Sequence, residues 1–248
     1  MFGQTEKDLR IFMKTSKILI VDDEKEIADL LELYLRNDGY EISKFYNGKD
    51  AIKAIDEEEF DLAILDVMLP DIDGFTICKH IREEYYFPII MLTAKVEDTD
   101  KIMGLTIGAD DYITKPFNPL EVLARVKTQL RRYKKYNNTN EESDLKDVLE
   151  YEIRGLYINK KSHQCKLFGE DVKLTPIEFD ILWYLCASEG QVVSSEELFQ
   201  AVWKEAYFDN NNNTVMAHIG RLRDKLKEPH KKPRFIKTVW GVGYKIEK

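Results

Sequence analysis

Short apolar runs alternate with amphipathic segments along the first half of the chain. The apolar runs predict β-strands at 17–21, 40–46, 60–67, 88–92 and 111–114. In the segments between and after them, apolar residues stand three or four positions apart. This spacing predicts helices, one from Ile27 to Leu35 that stops at Gly39 and four over 48–58, 74–84, 99–108 and 119–133. Five such repeats in about 120 residues predict an α/β fold, a doubly wound five-stranded parallel sheet with helices on both faces.

The second half of the chain has a different pattern. Residues 134–148 are polar and lack periodicity, which predicts a linker. Residues 150–174 are strand-like, and three helical patterns follow, over 176–187, 195–202 and 213–227. The segment from Phe235 to Ile246 predicts a β-hairpin that turns around Gly241 and Gly243. We therefore expect an N-terminal extension, a first domain, a linker and a smaller α+β domain, at 1–15, 16–133, 134–148 and 149–248.

Local signals predict where the three C-terminal helices begin. Thr175 and Glu178 stand at the N-cap and third positions of the first of them, with a proline between, which is a capping box. Ser194 or Ser195 is expected to cap the second helix, and Asn213 the third.

Composition narrows the class of protein. Of the 248 residues, 44% are hydrophobic and 33% are charged, which favours folded domains over a disordered chain. No apolar run reaches the roughly 18–20 residues that span a bilayer, and the N-terminus lacks a secretory apolar segment, so a cytoplasmic protein is expected. The widely spaced cysteines form no CxxC pair, which argues against a zinc site or disulfide framework and favours buried, reduced thiols at Cys78, Cys165 and Cys186.

Charge is unevenly divided along the chain. The net charge is −8 overall, but residues 1–130 carry −11 and residues 131–248 carry +3. Within the second part, residues 210–248 carry +7. An acidic module joined to a basic one is typical of a regulated nucleic-acid binder. A solvated basic surface would leave the same pattern, so charge alone does not decide between them.

Polar residues follow the predicted strands at their carboxyl ends, where ligands bind in doubly wound sheets. Asp22 and Asp23 follow the first strand, and Asp66 closes the third. Three converging carboxylates repel one another unless a cation is present, and Mg²⁺ is the cation that oxygen ligands favour. Thr93 and Lys115, after the fourth and fifth strands, would then bind a phosphoryl group, with Asp66 as nucleophile toward phosphorus. A single strand-end aspartate is more often a turn or helix cap, so the prediction depends on the whole set.

Four segments of the first half carry a family resemblance: ILIVDDE at 18–24, LAILDVMLPDIDGF at 62–75, IIMLTAK at 89–95 and GADDYITKPF at 108–117. Together they resemble the receiver domain of two-component response regulators. The resemblance implies that Asp66 is the phospho-acceptor and that Thr93 and Lys115 contact the phosphoryl group. It implies Mg²⁺ bound by Asp22, Asp23, Asp66 and the Met68 backbone carbonyl. It also implies that Thr93 and Tyr112 form the switch, although a half-buried strand aromatic is an alternative for Tyr112.

Opposite charges stand at family spacing near Tyr112, as Lys101 with Glu121, Asp111 with Arg125, and Asp110 with Arg132. In the subfamily that the chain resembles, such pairs cross a symmetric receiver dimer, so the resemblance implies a homodimer on phosphorylation. The alternative is ordinary surface charge, worth at most about 1 kcal/mol per exposed pair.

Three short helices followed by a hairpin predict a winged helix-turn-helix in the second domain. The third helix has a core stripe made of Val215, Ile219, Leu222 and Leu226, so its other face is free to enter a major groove. The candidate DNA contacts are Asn213, Thr214, His218, Arg221, Arg223, Lys237 and Tyr244. Among them Arg221 is expected to read a base, and Arg223, Lys237 and Tyr244 to contact phosphate.

Four further segments resemble the DNA-binding domain of OmpR/PhoB-type regulators: LTPIEFDIL at 174–182, VVSSEELFQAVW at 192–203, AHIGRLRDKL at 217–226 and IKTVWGVGYKI at 236–246. Gly220 departs from the pattern, since many relatives carry a larger residue there. Trp240 is expected to pack the hairpin against the third helix, with a DNA-facing aromatic as the alternative. For His218 the sequence leaves two alternatives, contact with DNA and packing inside the domain.

The prediction is therefore a non-enzymatic transcription regulator switched by phosphorylation. The partners implied are promoter direct repeats, a sensor histidine kinase, RNA polymerase and a second copy of the chain, and longer shared stretches suggest control of glycopeptide-resistance or cell-wall genes. An aspartyl-phosphate hydrolase is disfavoured by Met68, where such enzymes carry a second aspartate. A P-loop NTPase is disfavoured by Ser43 and Asp50 around Gly48-Lys49. A phosphorylation-independent DNA binder would lack a member of the acidic set, and none is missing.

Overall fold

A computed structural model of the protein describes residues 15–94, 108–137, 149–204, 211–229 and 232–247. Most of the helix predicted at 99–108 lies outside the described residues, as does Lys101. No helix within the described ranges is both long and apolar enough to cross a membrane. All three cysteines are buried and free, as their spacing predicted.

The first domain is built from alternating strands and helices, as the apolar runs predicted. Its strands are β1 (Lys17–Val21), β2 (Glu41–Phe45), β3 (Leu62–Asp66), β4 (Ile89–Ala94) and β5 (Asp111–Lys115). The helices that the structure describes between and after them are α1 (Lys25–Asn37), α2 (Gly48–Glu57), α3 (Gly74–Glu84) and α4 (Pro119–Asn137).

The five strands form one parallel sheet in the order β2-β1-β3-β4-β5. Strand residues alternate between two apolar layers, one containing Leu19 and Leu65 and the other Ile20 and Ile64. The chain order reverses at β1, which pairs with β2 on one side and β3 on the other. The carboxyl ends of β1 and β3 therefore meet at the point where doubly wound sheets hold ligands.

The second domain begins with the antiparallel strands β6 (Glu150–Ile153), β7 (Leu156–Asn159), β8 (Gln164–Leu167) and β9 (Glu170–Asp171). The elements that follow are α5 (Pro176–Ala187), β10 (Val193–Ser194), α6 (Ser195–Trp203), α7 (Asn211–Lys225), β11 (Ile236–Val239) and β12 (Gly243–Ile246). Strand β12 pairs with β10 and β11, and the β11–β12 hairpin is the wing. One apolar core joins the three helices to both sheets.

The predicted caps are largely confirmed. Thr175 and Glu178 form the capping box of α5, and the Ser194 side chain accepts a hydrogen bond from the Glu197 amide at the start of α6. Asn213 lies in the first turn of α7 and is not its cap, because that helix begins at Asn211.

The ends of two helices also differ from the prediction. Helix α4 continues to Asn137, so the first four residues of the predicted linker are helical. Their sequence, Lys-Lys-Tyr-Asn, contains no glycine or proline, so a polar composition was not enough to place the end of the helix. Helix α7 ends at Lys225 and not at 227, and Lys227 adopts a left-handed φ of 51° just beyond it.

Candidate functional site

Three carboxylates converge at the switch point of the parallel sheet, and we call Asp22, Asp23 and Asp66 the acidic pocket. Asp22 follows β1 and Asp66 ends β3, and these strands are hydrogen-bonded neighbours. One carboxylate oxygen from each residue lies within 4.8 Å of the other two. Asp22 and Asp66 are buried, whereas Asp23 is exposed. The pocket therefore has two fixed ligands and one at its mouth.

Lys115 supplies the balancing positive charge. Its Nζ atom lies 2.7 Å from Asp66 Oδ2 and 2.9 Å from both Asp22 Oδ2 and Glu24 Oε1. Burial raises the pKa of Asp22 to about 6, although Lys115 opposes the shift. Burial lowers the pKa of Lys115, but the hydrogen bonds that its ammonium group donates to Asp66, Asp22 and Glu24 outweigh that effect, so the net shift is upward. Glu24 was not predicted, although the acidic run after β1 is a signal for it.

The donors of the acidic pocket fit a small hard divalent cation. They are carboxylate oxygens from a compact cluster, which is the ligand set that Mg²⁺ takes in proteins. The Met68 amide donates to Asp66 Oδ1 over 3.2 Å, so the segment after β3 is held against the same carboxylate. The Thr93 side chain is buried beside the pocket in β4, and its hydroxyl donates to the Ala94 carbonyl over 2.8 Å. Thr93 is therefore close in the fold but is not bonded to the three carboxylates.

Gly74 allows the backbone behind Asp66 to pack tightly. A Cβ atom at Gly74 would lie 2.1 Å from the Asp66 carbonyl oxygen, which is closer than two atoms can approach. Helix α3 can therefore start against the end of β3 only with glycine at this position. The sequence signal was the glycine that follows Asp71 and Asp73, and its structural reason appears only in the packed sheet.

Tyr112 lies on β5 opposite Met91 and is half-buried. Its hydroxyl oxygen is buried and has no hydrogen-bond partner among the described residues. Burial raises the pKa of Tyr112, and Cys78 and Arg221 are the charged or ionisable neighbours that also act on it. Arg221 belongs to α7, so the tyrosine predicted to switch lies where the two domains meet.

The alternative of ordinary surface charge does not hold for the two acidic residues next to Tyr112. Asp110 and Asp111 are buried. Asp110 accepts from Arg82 Nη2 over 2.6 Å within the chain, and its pairing with Arg132 across a dimer stays a prediction. Arg82 comes from α3, and sequence separation hid this partner. Asp111 pairs with Arg125 at 3.0 Å, and Arg125 also pairs with Glu121 at 3.2 Å.

Arg132 instead reaches the second domain. Its Nε atom lies 3.2 Å from Asp180 Oδ2 on α5, and its Nη2 group donates to the carbonyl of Val202 on α6. Arg221 from α7 donates through Nη2 to the carbonyl of Ala109 over 3.1 Å. The loop before β5 and the end of α4 therefore contact all three helices of the second domain.

The predicted DNA-contacting residues fall into two groups. His218 and Arg221 are buried at the contact between the domains, with His218 fully inaccessible and Arg221 only 8% exposed. Burial, followed by the charges of Arg221, Arg132 and Arg82, lowers the pKa of His218 well below its ordinary value. In this arrangement neither side chain is on an open face. Asn213 and Thr214, at the start of α7, are half-buried.

The wing residues also differ from expectation. Arg223 donates to the Ile236 carbonyl and to Thr238 Oγ1, each over 2.8 Å from Nη2, so it ties α7 to the wing. Lys237 pairs with Glu247. Tyr244 is buried and packs in the core behind the wing, and its contact with a DNA phosphate stays a prediction. Trp240 is 90% exposed, so the expectation that it packs against α7 is also wrong.

Comparisons with known proteins agree with this architecture. Residues 18–127 match the response regulator receiver domain family, and residues 169–246 match the transcriptional regulatory protein C-terminal family. The chain is 62% identical over 234 residues to the regulatory protein VanRc of Enterococcus gallinarum and 56% identical to the regulatory protein VanR of Enterococcus faecium. Each alignment covers 94% of this chain and all of the relative.

Solved structures show the same two-domain order. Two RitR mutants superpose with a TM-score of 0.68 at 27% and 26% identity, over 94% of this chain and 99% of theirs. Identity above one half along the full length of the VanR proteins, together with both domain matches, establishes the family. The chain belongs to the two-component response regulators that join a receiver domain to an OmpR/PhoB-type DNA-binding domain, and it is a transcription regulator of that family.

Proposed function

We propose that Asp66 accepts a phosphoryl group from a sensor histidine kinase. The observation that carries the proposal is the position of the Lys115 ammonium group, which contacts both buried carboxylates of the acidic pocket. In the transfer, a carboxylate oxygen of Asp66 attacks phosphorus and the bond from phosphorus to the donor imidazole breaks. The electron pair of that bond stays on the ring nitrogen, and the ring, already protonated on its other nitrogen, leaves as neutral imidazole. Lys115 is placed to stabilise the phosphoryl oxygens once the new bond forms.

Mg²⁺ has a defined place in this proposal. Asp22, Asp23, Asp66 and the backbone carbonyl of Met68 are the residues proposed to hold it. When bound, the ion would neutralise the converging negative charge of the carboxylates and the incoming phosphoryl group. Thr93 is proposed to turn its hydroxyl from the Ala94 carbonyl toward the phosphoryl group, since the new acceptor is charged and hydrogen bonds to charged groups are stronger.

The proposed switch couples Asp66 to the contact between the domains. Movement of Thr93 would open space on β4 beside Tyr112 on β5, because the two strands are paired. Tyr112 lies under the same contact that buries Arg221, so its inward movement would weaken the hold of the first domain on α7. The freed first-domain surface is then proposed to pair with a second copy, using Lys101, Asp110, Asp111, Glu121, Arg125 and Arg132.

The target is proposed from the second domain and from the similar proteins. Helix α7 and the wing would bind two direct repeats in a promoter, with the receiver dimer raising affinity through effective concentration. The similarity to VanR proteins supports a role in glycopeptide-resistance or cell-wall gene control, a VanS-like kinase as donor, and contact with RNA polymerase.

A DNA-binding titration tests the phosphorylation step. Wild type and Asp66→Asn are each titrated onto the region upstream of the protein's own gene, with Mg²⁺ and with or without a small phosphodonor, while mass is followed by light scattering. The donor is expected to produce a dimer and tighter binding only in wild type. Asp71→Asn is the matched control, since Asp71 is a nearby exposed aspartate that binds the Gly48 and Lys49 amides. A donor response that persists in Asp66→Asn would contradict Asp66 as the acceptor.

A further inference from the structure

A buried carboxylate of α5 lies behind α7, the helix proposed to bind DNA. Glu178 of α5 is only 1% exposed, and it contacts two cations of α7. Lys225 Nζ lies 2.6 Å from Glu178 Oε2, and Arg221 Nε lies 3.5 Å from Glu178 Oε1. Burial alone would raise the pKa of Glu178, but Lys225 and Arg221 outweigh it, so the pKa lies below the ordinary value and the group stays charged.

The orientation of this carboxylate is fixed by its place in the capping box. Glu178 Oε2 accepts the Thr175 amide over 2.8 Å and the Lys225 ammonium, while Thr175 Oγ1 accepts the Glu178 amide over 3.4 Å. The second oxygen, Oε1, is thereby directed at the guanidinium of Arg221. An arginine side chain has four rotatable bonds and loses much conformational entropy when it is held. The contact of Nε with Glu178 is an ion pair and not a hydrogen bond, and it limits the direction of the guanidinium together with the His218 contact at Nη2.

The two edges of the Arg221 guanidinium have different neighbours. The Nε edge faces Glu178 inside the second domain, whereas Nη2 contacts the His218 ring of the same helix and also donates outward to the Ala109 carbonyl of the first domain. The contact with Glu178 joins α5 to α7 of one domain, so it does not depend on the first domain being in place. The outward Nη2 end is the part that donates to guanine O6 and N7 when an arginine reads a base.

We propose that Glu178 is a positioning residue for DNA recognition: it holds the Nε edge of Arg221 so that the outward end of the guanidinium is presented to a guanine. The inference rests on the proposed role of Arg221 as the base-reading residue. It adds that the base preference of Arg221 depends on a buried residue that does not contact DNA. Preorganisation of this kind improves discrimination because less entropy is lost when the correct base is bound.

The test is a selection from a pool of random 30-base-pair duplexes, performed with the full chain in the presence of Mg²⁺ and a small phosphodonor. The protein variants are wild type, Glu178→Gln, Thr175→Ala and Arg221→Lys. The readout is the preference for guanine over other bases at the most selective position, together with affinity for the unselected pool at fixed salt. Glu178→Gln is expected to lower the guanine preference about tenfold and to change pool affinity by less than about twofold.

Thr175→Ala is the matched structural control. It removes the other half of the same capping box, so it destabilises the same helix terminus while Glu178 keeps its charge. We expect this variant to unfold at a lower temperature and to retain the guanine preference of wild type. If Glu178→Gln is too unstable to assay, Glu178→Gln combined with Lys225→Met removes the half-buried lysine that has lost its carboxylate partner and leaves Arg221 as the group under test.

The outcomes separate this inference from the proposed function. If Arg221→Lys loses guanine preference while Glu178→Gln keeps it, Arg221 reads the base and the positioning role is wrong. If Arg221→Lys keeps the preference, base reading by Arg221 itself is wrong. If Thr175→Ala loses the preference as fully as Glu178→Gln, the effect belongs to helix stability and the positioning role is also wrong.

Discussion

Individual side chains in this protein are placed by charge balance in confined space. The positive charge of Lys115 offsets the repulsion between two buried carboxylates of the acidic pocket. The negative charge of Glu178 likewise offsets the repulsion between two cations of α7. An isolated buried charge would cost several kcal/mol, so each of these groups needs its partner in the folded state. Arg82 and Asp110 form a third such pair beneath Tyr112. The sequence showed these residue types but not their partners. Asp110 is 28 positions from Arg82, Asp22 is 93 from Lys115, and the two cations of α7 are 43 and 47 from Glu178.

Gly220 allows a prediction at the level of one residue. It lies within α7, and a Cβ atom added there would meet nothing within 4 Å. Because alanine restricts the unfolded chain and favours helix, Gly220→Ala is expected to raise the free energy of unfolding of the second domain by about 1 kcal/mol. Urea denaturation monitored by circular dichroism measures the change.

Gly243→Ala provides the opposite control. A Cβ atom at Gly243 would lie 2.0 Å from the Val193 carbonyl, inside the pairing of β10 with β12. That variant is expected to unfold at lower urea than wild type. A loss of stability in Gly220→Ala would show that the open space around the helix does not exist in solution.

At the level of elements, the strands of the wing pack against the second domain, whereas the turn that joins them is exposed to solvent. Arg223 joins α7 to β11, and Phe235, Ile236 and Tyr244 place the strands in the core of the second domain. Trp240, at the turn between the strands, takes no part in that core. The hairpin was predicted because glycines and alternating residues are local signals. The choice of aromatic residue that faces the core depends on how the hairpin packs against α7. A local sequence pattern carries no information about that packing.

Removing Trp240 is therefore expected to have little effect on stability. Trp240→Ala should change the free energy of unfolding by less than about 0.5 kcal/mol, as is usual for an exposed side chain. Trp203→Ala is the matched control, because Trp203 is buried in the same domain, and it should cost about 3–5 kcal/mol. Both values follow from urea denaturation. A large loss in Trp240→Ala would restore the packing interpretation.

At the scale of the whole molecule, the first domain covers the residues of α7 that the sequence predicted for DNA. Arg221 and His218 are buried against it, and Arg132 with Asp180 forms an ion pair across the same contact. A closed arrangement of this kind has to open before α7 enters a groove, so the stability of the contact sets the affinity for DNA. Phosphorylation is proposed to raise DNA affinity in two ways, by shifting this equilibrium toward the open arrangement and by forming the receiver dimer.

Weakening the contact is therefore expected to raise DNA affinity without phosphorylation. Asp180→Lys would place a lysine beside Arg132 and replace attraction by repulsion. We expect affinity of the unphosphorylated chain for the upstream duplex to rise roughly tenfold, which corresponds to about 1.4 kcal/mol. Asp38→Lys is the control, since Asp38 pairs with Lys127 inside the first domain, at 2.7 Å. Equal affinity in wild type and Asp180→Lys would contradict control of binding by this contact.

The sequence by itself determined the local features of this protein: five strands and most helices of the first domain, the capping box at Thr175, the wing hairpin and the strand-end aspartates. These follow from periodicity, caps and turns, which act over a few residues, and the fold and family they predicted are confirmed. Only the tertiary structure decided that Asp110 pairs with Arg82, that Arg132 reaches Asp180, that Tyr244 is buried and that Trp240 is exposed. The physical reason is that burial and ion pairing depend on which distant segments share a space, and that information arises only when the elements pack together.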